Sequence, residues 1–326
     1  MEQTVLIMMA TYNGEKYLAK QLDSILKQTH KNWTLAIQDD GSTDKTMEII
    51  KQYVAKENRI VFFENHSSHH GAYYNFHTLA NRYKKDSETF NYYMFCDQDD
   101  IWDTDKIERM VAFVSQFEND TPALAHADRR LCDGNDVVTD QSLNALYGIS
   151  GRDKFNTFFS HKVAGCNLIM NRAAFFSVPI LDLEQIPEYL SHDNLYAKTV
   201  ACLGEIGYLP ESTMCYRRHG ENVTNEQQFK AGFSRIIKRM FGLNGLAKDH
   251  AKTYNQSLYA ISLFEQMSLP EETQNHIAKI KEAIYKGGVT SLRFMRKNRV
   301  HTGRKIEDIS RRLILFLGLY KKYLEF

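Results

Sequence analysis

Short apolar runs alternate with segments of helical periodicity along the first third of the chain. The runs occupy residues 5–10, 33–38, 60–63 and 91–96. They lack the in-and-out alternation of a half-exposed strand, so they predict strands that are buried on both faces. Apolar positions between them recur at helical spacing over residues 17–26, 47–54 and 73–83. This alternation of strand and helix continues to about residue 117 and is typical of an open, doubly wound α/β sheet.

The pattern is mixed after residue 123 and then becomes purely helical. Strands are predicted over residues 123–127, 168–170 and 205–209, with a helix over about 193–202. From about residue 228, helices are predicted over residues 234–241, 247–267, 270–285 and 306–324, with Pro270 in a first helical turn. We therefore expect two domains, an α/β domain over residues 1–227 and a helical domain over residues 228–326.

Composition excludes disordered and fibrous classes, because 43% of the residues are apolar and 25% are charged. The net charge of +1 hides a strong asymmetry. Residues 1–227 contain 22 Lys and Arg against 32 Asp and Glu, a charge of −10, whereas residues 228–326 contain 19 against 8, a charge of +11. An acidic domain and a basic tail suggest different partners for the two parts.

The cysteines and the first residues indicate a cytoplasmic protein. The five cysteines are widely spaced and form no C-x-x-C pair: Cys96, Cys132, Cys166, Cys202 and Cys215. We predict buried free thiols in a reducing compartment, not disulfides or a zinc site. The first residues lack the basic region and the long apolar stretch of a secretory signal. Residues 313–320 are too short to span a bilayer but suit its surface.

Two acidic loops follow predicted strands, where open parallel sheets bind their ligands. Asp39 and Asp40 follow the second strand, and Asp97, Asp99 and Asp100 follow the fourth. Acidic residues also fill turns and cap helices. Three carboxylates within four residues, however, repel one another unless a cation neutralises them, and carboxylate oxygens suit Mg²⁺ or Mn²⁺. Such an ion completes its shell with substrate phosphates, which indicates a nucleoside diphosphate.

Other phosphate-binding classes are disfavoured. The chain has no G-x-x-x-x-G-K-[ST], and no G-x-G-x-x-G follows the first strand. The sequence there reads Ala10-Thr11-Tyr12-Asn13-Gly14, which also lacks the paired aspartates of a haloacid dehalogenase.

Four ordered motifs resemble the family 2 glycosyltransferases, whose catalytic domain has the GT-A fold. They are Ala10 to Gly14, Gln38 to Asp44, Gly71 to Phe76, and Cys96-Asp97-Gln98-Asp99-Asp100-Ile101-Trp102. The resemblance continues through Gly165-Cys166-Asn167, His192-Asp193 and Tyr216-Arg217-Arg218-His219-Gly220, and covers about residues 3–222. The D-Q-D-D-x-W form and the stretch from Arg218 to Val223 are most similar to bacterial rhamnosyltransferase-like enzymes of surface polysaccharide synthesis. The implied fold is a mostly parallel, doubly wound sheet with a helical C-terminal extension.

The resemblance also implies a role for individual residues. The implied nucleotide-sugar-binding residues are Ala10, Thr11, Tyr12, Asp40, Asn75, Asp97 and Gln98, with Asp40 accepting the N–H of a pyrimidine ring. Asp97, Asp99 and His219 would bind the Mg²⁺ or Mn²⁺.

Asp193 is the implied catalytic base, preceded by His192, whose role stays open. From the sequence alone, Asp193 also suits the N-terminal turn of a helix. The implied acceptor side includes Trp102, Asp128, Cys166 and His192. Trp102 either stacks on an acceptor sugar or packs beneath the loop of residues 97–100, called the metal loop below. Cys166 also suits a buried thiol. His66, His69 and His70 lie close together in the sequence, but their spacing matches no ordinary metal-ligand motif. We interpret this segment as a solvated loop.

The function expected from these residues is metal-dependent, inverting sugar transfer onto a growing cell-surface glycan, with L-rhamnose from dTDP-rhamnose as the favoured donor. A UDP-hexose transferase and a non-catalytic nucleotide-binding or scaffold protein are the alternatives. The expected acceptor is a glycan or lipid-linked glycan at the inner membrane face. The basic helices suit either an anionic membrane surface or a homodimer. Nucleic acid is not expected as a partner, because the motif-bearing part is acidic.

Overall fold

The computed structural model describes residues 3–86, 90–147, 154–160, 163–219, 243–301 and 305–326. Within these ranges, nine strands form a single sheet. They are β1 (Val5–Thr11), β2 (Trp33–Asp39), β3 (Ile60–Glu64), β4 (Tyr92–Cys96), β5 (Ile101–Trp102), β6 (Ala123–Cys132), β7 (Val138–Asp140), β8 (Leu168–Asn171) and β9 (Glu205–Arg217). The strand order is β3-β2-β1-β4-β8-β6-β9-β5, and β7 pairs with β6.

Eleven α-helices accompany the sheet in the described part of the chain. They are α1 (Leu18–Leu26), α2 (Thr46–Val54), α3 (Ala72–Lys85), α4 (Lys106–Val114), α5 (Leu143–Tyr147), α6 (Arg172–Ser177), α7 (His192–Leu203), α8 (Leu243–Phe264), α9 (Glu271–Lys286), α10 (Gly288–Lys297) and α11 (Lys305–Leu317). Short 3₁₀ turns lie at Lys154–Phe158, Gly165–Asn167 and Lys321–Tyr323. None of the described helices combines the length and the apolarity that crossing a membrane requires.

The first half of the sheet is parallel, as the apolar runs predict. Strand β1 pairs in parallel with β2 and with β4, and β2 pairs in parallel with β3. The registers place Thr11 opposite Asp39, and Met9 opposite Cys96. The loops that follow β1, β2 and β4 therefore leave the sheet at one edge, which brings the first loop and both acidic loops together.

The second half of the sheet is mixed. Strand β8 pairs antiparallel with β4 and β6, β5 pairs antiparallel with β9, and β6 and β9 are parallel. The predicted α/β sheet is thus confirmed. It is a mixed sheet, because the parallel pairing expected for most of it is concentrated in the N-terminal half.

Both faces of the central strands are buried, which explains their unbroken apolar runs. In β1, Leu6 and Met8 point into one core, and Val5, Ile7 and Met9 point into the other. Helices α1, α2 and α4 cover the second core. The first core continues through α3, α6 and α7 into the C-terminal helices.

The C-terminal helices share a core with the sheet. Tyr254 and Ile261 of α8 are fully buried in the same cluster as Tyr196 and Val200 of α7. The predicted boundary between residues 227 and 228 lies outside the described residues, as does the predicted helix over residues 234–241, and both stay predictions.

Glycines and a proline divide the C-terminal helices differently from the prediction. Gly287, with a φ of 62°, separates α9 from α10, a helix that was not predicted and whose first residue, Gly288, has a φ of 60°. The predicted helix over residues 306–324 ends at Leu317, because Gly318 has a φ of 65°. Pro270 is the N-cap residue of α9 and lies before its first turn. Residues with positive φ interrupt a right-handed helix, and glycine adopts such angles without strain.

The prediction of five free thiols was wrong for one pair. Cys132 at the end of β6 and Cys215 on β9 form a disulfide, with their Cα atoms 5.9 Å apart. The two residues are 83 positions apart, so only the pairing of the two strands brings them together. Cys96 and Cys166 are buried free thiols, as predicted, and Cys202 is free and partly buried.

Candidate active site

The first loop is held by hydrogen bonds from the metal loop and from the loop after β2. The side chain of Gln98 accepts a bond from the N–H of Tyr12 at 2.9 Å and donates to its carbonyl at 2.9 Å. Ser42 accepts from the N–H of Asn13, and Thr46 accepts from that of Gly14. Gln98 therefore joins the two parts of the predicted donor site, while the Tyr12 side chain stays 55% exposed.

The first of the two paired aspartates organises its own loop. The buried carboxylate of Asp39 accepts hydrogen bonds from the Thr11 hydroxyl at 2.8 Å and from the N–H groups of Gly41 and Ser42. Thr11, predicted to bind the nucleotide, is thus buried behind Asp39, and Ala10 is buried beside it. Asp44 accepts from the N–H of Thr46 at the start of α2.

The second paired aspartate, Asp40, is bound to the histidine-containing loop. Its carboxylate accepts from Asn65 Nδ2 at 2.6 Å, from the Gly71 N–H at 2.6 Å and from His70 Nδ1 at 2.9 Å. A base N–H would have to share the Asp40 carboxylate with these three donors or displace one of them. His69 has a different carboxylate partner, Glu184, at 2.9 Å.

Asn75, predicted to bind the nucleotide-sugar, is bound inside the protein. It is buried on α3, and its amide accepts from Gln38 Nε2 at 2.7 Å and donates to the Gln38 carbonyl at 2.8 Å. Asn75 thus fixes α3 against β2.

The three carboxylates of the metal loop fall into two groups, Asp99 in one and Asp97 with Asp100 in the other. Asp99 Oδ2 lies 2.7 Å from His219 Nε2, so the structure brings together two of the three predicted metal-binding residues. Asp100 is fully buried and accepts from the Arg217 N–H at 3.1 Å. Asp97 and Asp100 lie with Cys166, each offering one ligand atom within 4.8 Å of the others.

These carboxylates lie close to one another, so their negative charges repel. Burial, together with the charges of Asp99 and Asp193, raises the pKa of Asp97 to about 7. Burial and the charges of Asp99 and Asp97 raise the pKa of Asp100 well above its usual range. Repulsion of this kind disappears when a cation binds. Arg129 partly offsets it at Asp97, since its charge lowers the pKa of that carboxyl.

The residues present fit a hard divalent cation. Among the described residues, the buried Oδ2 of Asp100 lacks a hydrogen-bond partner. Asp97, which lies with Asp100, offers an oxygen ligand of the kind that Mg²⁺ and Mn²⁺ prefer. Asp99 and His219, paired with each other, offer a second carboxylate and an imidazole.

Arg217 supports the metal loop from behind and was not among the predicted site residues. Its side chain is fully buried. The guanidinium donates to Asp136 Oδ1 at 2.9 Å from Nε and also donates to the main-chain carbonyl of Asp99. The Tyr17 ring lies 4.6 Å from the guanidinium and 4.6 Å from the His219 ring. The only sequence signal for Arg217 was its place in the Tyr216-to-Gly220 motif.

Asp193, the predicted base, lies in the first turn of α7. Its carboxylate accepts from the Gly165 N–H at 2.9 Å and from the Asn194 N–H at 2.7 Å. Burial and the charges of Asp193 and Asp97 raise the pKa of Tyr73 to about 12, so both carboxylates lie near this tyrosine. The Gly165 N–H that binds Asp193 belongs to the residue before Cys166, whose ligand atom lies within 4.8 Å of those of Asp97 and Asp100, so the same short turn contacts both sets of carboxylates.

His192 fixes the start of α7 through tight packing. Its ring centroid lies 4.0 Å from that of Phe76 and 4.4 Å from that of Phe95. A Cβ on Gly165 would lie 2.4 Å from His192 Nε2. Because two aromatic rings confine the imidazole, only glycine fits at position 165.

The substitution Gly165→Ala is expected to lower stability by about 1–3 kcal/mol, because the added methyl group overpacks the His192 ring. It should also lower sugar transfer, since the same residue's N–H holds Asp193. Thermal denaturation and turnover measure the two effects. Gly245→Ala in α8 is the control, because no atom lies within 4 Å of its added Cβ. An unchanged melting temperature for Gly165→Ala would contradict the packing argument.

The predicted acceptor-side residues are enclosed. Trp102 is 3% exposed, and the Lys106 ammonium lies 4.1 Å from its ring centroid. Its ring is therefore packed inside the protein in this structure and is not presented to a sugar. Burial lowers the pKa of that lysine to about 8. Asp128 is buried and accepts from the Asn144 N–H at 2.9 Å, and Cys166 is 3% exposed. Direct contact of these side chains with a sugar would require movement.

Comparisons with known proteins agree with this architecture. The profile of Glycosyl transferase family 2 matches residues 6–176. The dTDP-rhamnosyl transferase RfbG of Shigella flexneri is 27% identical over 234 residues, covering 70% of this chain and 78% of RfbG. The UDP-Glc:alpha-D-GlcNAc-diphosphoundecaprenol beta-1,3-glucosyltransferase WfgD of Escherichia coli is 25% identical over 191 residues, covering 57% of this chain and 68% of WfgD.

Two solved structures share the fold. S. aureus TarS 1–349 in complex with UDP-GlcNAc has a TM-score of 0.55 at 14% identity, covering 98% of this chain and 91% of TarS 1–349. The mannosyltransferase PcManGT from Pyrobaculum calidifontis, in complex with GDP-Man and Mn²⁺, has a TM-score of 0.55 at 12% identity. The superposition covers 99% of this chain and 87% of the PcManGT chain. The likeness extends over the C-terminal helices.

Proposed function

Because the chain belongs to glycosyl transferase family 2 and is thus a glycosyltransferase, we propose that it moves a sugar from a nucleoside diphosphate onto a hydroxyl of a growing cell-surface glycan. One observation supports the proposal: the turn Gly165-Cys166 contacts both sets of carboxylates. The Gly165 N–H binds Asp193, and a ligand atom of Cys166 lies within 4.8 Å of those of Asp97 and Asp100. Such a site offers a place for a metal-bound diphosphate beside a base.

The proposed donor is dTDP-L-rhamnose, supported by the similarity to RfbG and by the D-Q-D-D-x-W form of residues 97–102. A UDP-hexose is the second candidate, supported by the similarity to WfgD, whose name gives a UDP-glucose donor.

In the proposed reaction, Asp193 accepts the proton of the acceptor hydroxyl. The hydroxyl oxygen forms a bond to the anomeric carbon while the bond from that carbon to the diphosphate oxygen breaks. The diphosphate leaves with the electron pair, and attack from the opposite face inverts the anomeric configuration. The N–H bonds from Gly165 and Asn194 hold the carboxylate in place at the start of α7.

Asp97, Asp99 and His219 are the proposed ligands of Mg²⁺ or Mn²⁺. When bound, such an ion stabilises negative charge on the departing diphosphate. Arg217 and Gln98 hold the loop that carries two of these ligands, Arg217 through the Asp99 carbonyl and Gln98 through Tyr12.

The proposed location is the cytoplasm, at the inner face of the membrane, where a lipid-linked glycan is the proposed acceptor. Membrane contact and a homodimer are the two roles that the sequence leaves for the basic helices.

A screen of dTDP- and UDP-sugars tests the function. We expect dTDP-rhamnose to raise the melting temperature most and to be hydrolysed slowly in the presence of Mn²⁺. Chelation of the metal with EDTA should remove both effects. If a UDP-hexose is the only sugar nucleotide hydrolysed, the proposed donor becomes that UDP-hexose instead of dTDP-rhamnose. Nucleotide binding without turnover of any sugar, with acceptor glycan present, would favour the scaffold alternative.

A further inference from the structure

Helix α11 presents apolar side chains on its solvent face as well as on its buried face. Ile314 and Leu315 are fully buried, whereas Ile309, Phe316 and Leu317 are 63%, 50% and 49% exposed. At 100° per residue, Ile309, Leu313, Phe316 and Leu317 fall within about one quarter of the helix surface. A surface helix normally turns polar residues to water, so this face indicates a partner.

The neighbouring helix α10 presents a basic face. Val289, Arg293, Arg296 and Lys297 are exposed and recur at i, i+4, i+7 and i+8. Helix α10 has no acidic residue to neutralise its three cations. It is therefore a local concentration of positive charge.

The two faces lie on neighbouring helices. Helices α10 and α11 pack against each other, and the turn before α10 contacts the end of α11. There, Lys321 Nζ donates to the Lys286 carbonyl at 2.7 Å. Arg312 is exposed beside the apolar face, whereas Arg311 is 6% exposed and points into the core. Of residues 313–320, which the sequence suggests for a bilayer surface, Ile314, Leu315 and Tyr320 are instead buried in the core.

Two occupants fit an apolar face, and charge distinguishes them. A second copy would carry the same excess of cations, so pairing of two such surfaces would bring like charges together. An anionic bilayer surface accepts both features, because the apolar side chains enter the acyl boundary while the cations meet lipid phosphates.

We propose that the α10–α11 surface, formed by Val289, Arg293, Arg296, Lys297, Ile309, Arg312, Leu313, Phe316 and Leu317, docks on an anionic lipid bilayer. This surface goes beyond the proposed transfer reaction, since none of its residues contributes to the site around Asp97 and Asp193. It places the enzyme at the membrane through folded helices.

Flotation of the full chain with vesicles tests the proposal. We expect the protein to float with vesicles containing phosphatidylglycerol and to stay behind with pure phosphatidylcholine. The variant R293Q/R296Q/K297Q should bind about a hundredfold more weakly, since each cation contributes about fivefold near an anionic surface. The variant F316S/L317S should bind at least tenfold more weakly, because both side chains already lie in water and their loss removes only the apolar contact.

Matched variants on the α/β part control for charge and apolarity. The variants K27Q/K51Q/K56Q and Ile180→Ser replace exposed residues that lie far from α10 and α11 in the sequence. Both variant proteins should float like the wild type. Equal flotation of the wild type and both surface variants would overturn the proposal. So would light scattering that shows a dimer which F316S/L317S dissociates. Hydrolysis of the donor without vesicles should be equal in all these proteins, so a failure of the transferase proposal would be seen separately.

Discussion

Replacing Asp193 with Asn is expected to lower the turnover of sugar transfer by about 10³-fold, because the amide cannot accept the proton of the acceptor hydroxyl. Affinity for the donor should change less than about threefold. The Asn oxygen can still accept from the Gly165 N–H, so the position of α7 should be kept. Single-turnover transfer and donor titration measure the two quantities.

The control for this variant is Glu48→Gln, which neutralises an exposed carboxylate in the first turn of α2. It removes the same kind of helix-terminal charge and should keep full turnover. A normal rate for Asp193→Asn would exclude Asp193 as the base. A loss of donor affinity equal to the loss of rate would instead assign it to binding.

Replacing Asp99 with Ala is expected to weaken metal-dependent binding of the nucleoside diphosphate by more than about 100-fold. Even partners outside the coordination shell contribute 10- to 100-fold to metal affinity. The variant removes the carboxylate that lies 2.7 Å from His219 Nε2. Calorimetric titration of the diphosphate, with Mn²⁺ and then with EDTA, measures the difference.

Asp120→Ala removes an exposed aspartate from a loop away from the metal loop and serves as the matched control. Its titration should follow that of the wild type. If the wild type binds the diphosphate equally well in EDTA, the metal assignment fails for all three proposed ligands. If the wild type needs the metal but Asp99→Ala still binds the diphosphate as the wild type does, Asp97 and Asp100 become the principal metal ligands.

The local elements were readable from the sequence where burial dictates the pattern. Strands β1, β2 and β4 are buried on both faces, so most of their residues are apolar and do not alternate with polar ones. Long-range pairing was not readable in this way. The antiparallel ladder of β8 with β4 and β6, and the contact of Cys132 with Cys215, depend on which strands become neighbours.

The motifs located the site but did not reveal how each side chain is used. Asp39 and Asp40 are adjacent and chemically identical, yet one braces its own loop and the other binds residues 65–71. Arg217 and Arg218 are likewise adjacent, and only the sheet register turns Arg217 into the interior. Which partner each polar atom finds follows from the tertiary fold.

The contact between Gln98 and residue 12 has an evolutionary consequence. Gln98 binds only the main chain of residue 12, and every amino acid except proline offers that N–H and carbonyl. The exposed side chain at this position can therefore vary without loosening the loop. If residue 12 binds the nucleotide-sugar, as the family resemblance implies, related proteins can acquire new donor preferences through single substitutions there at little structural cost.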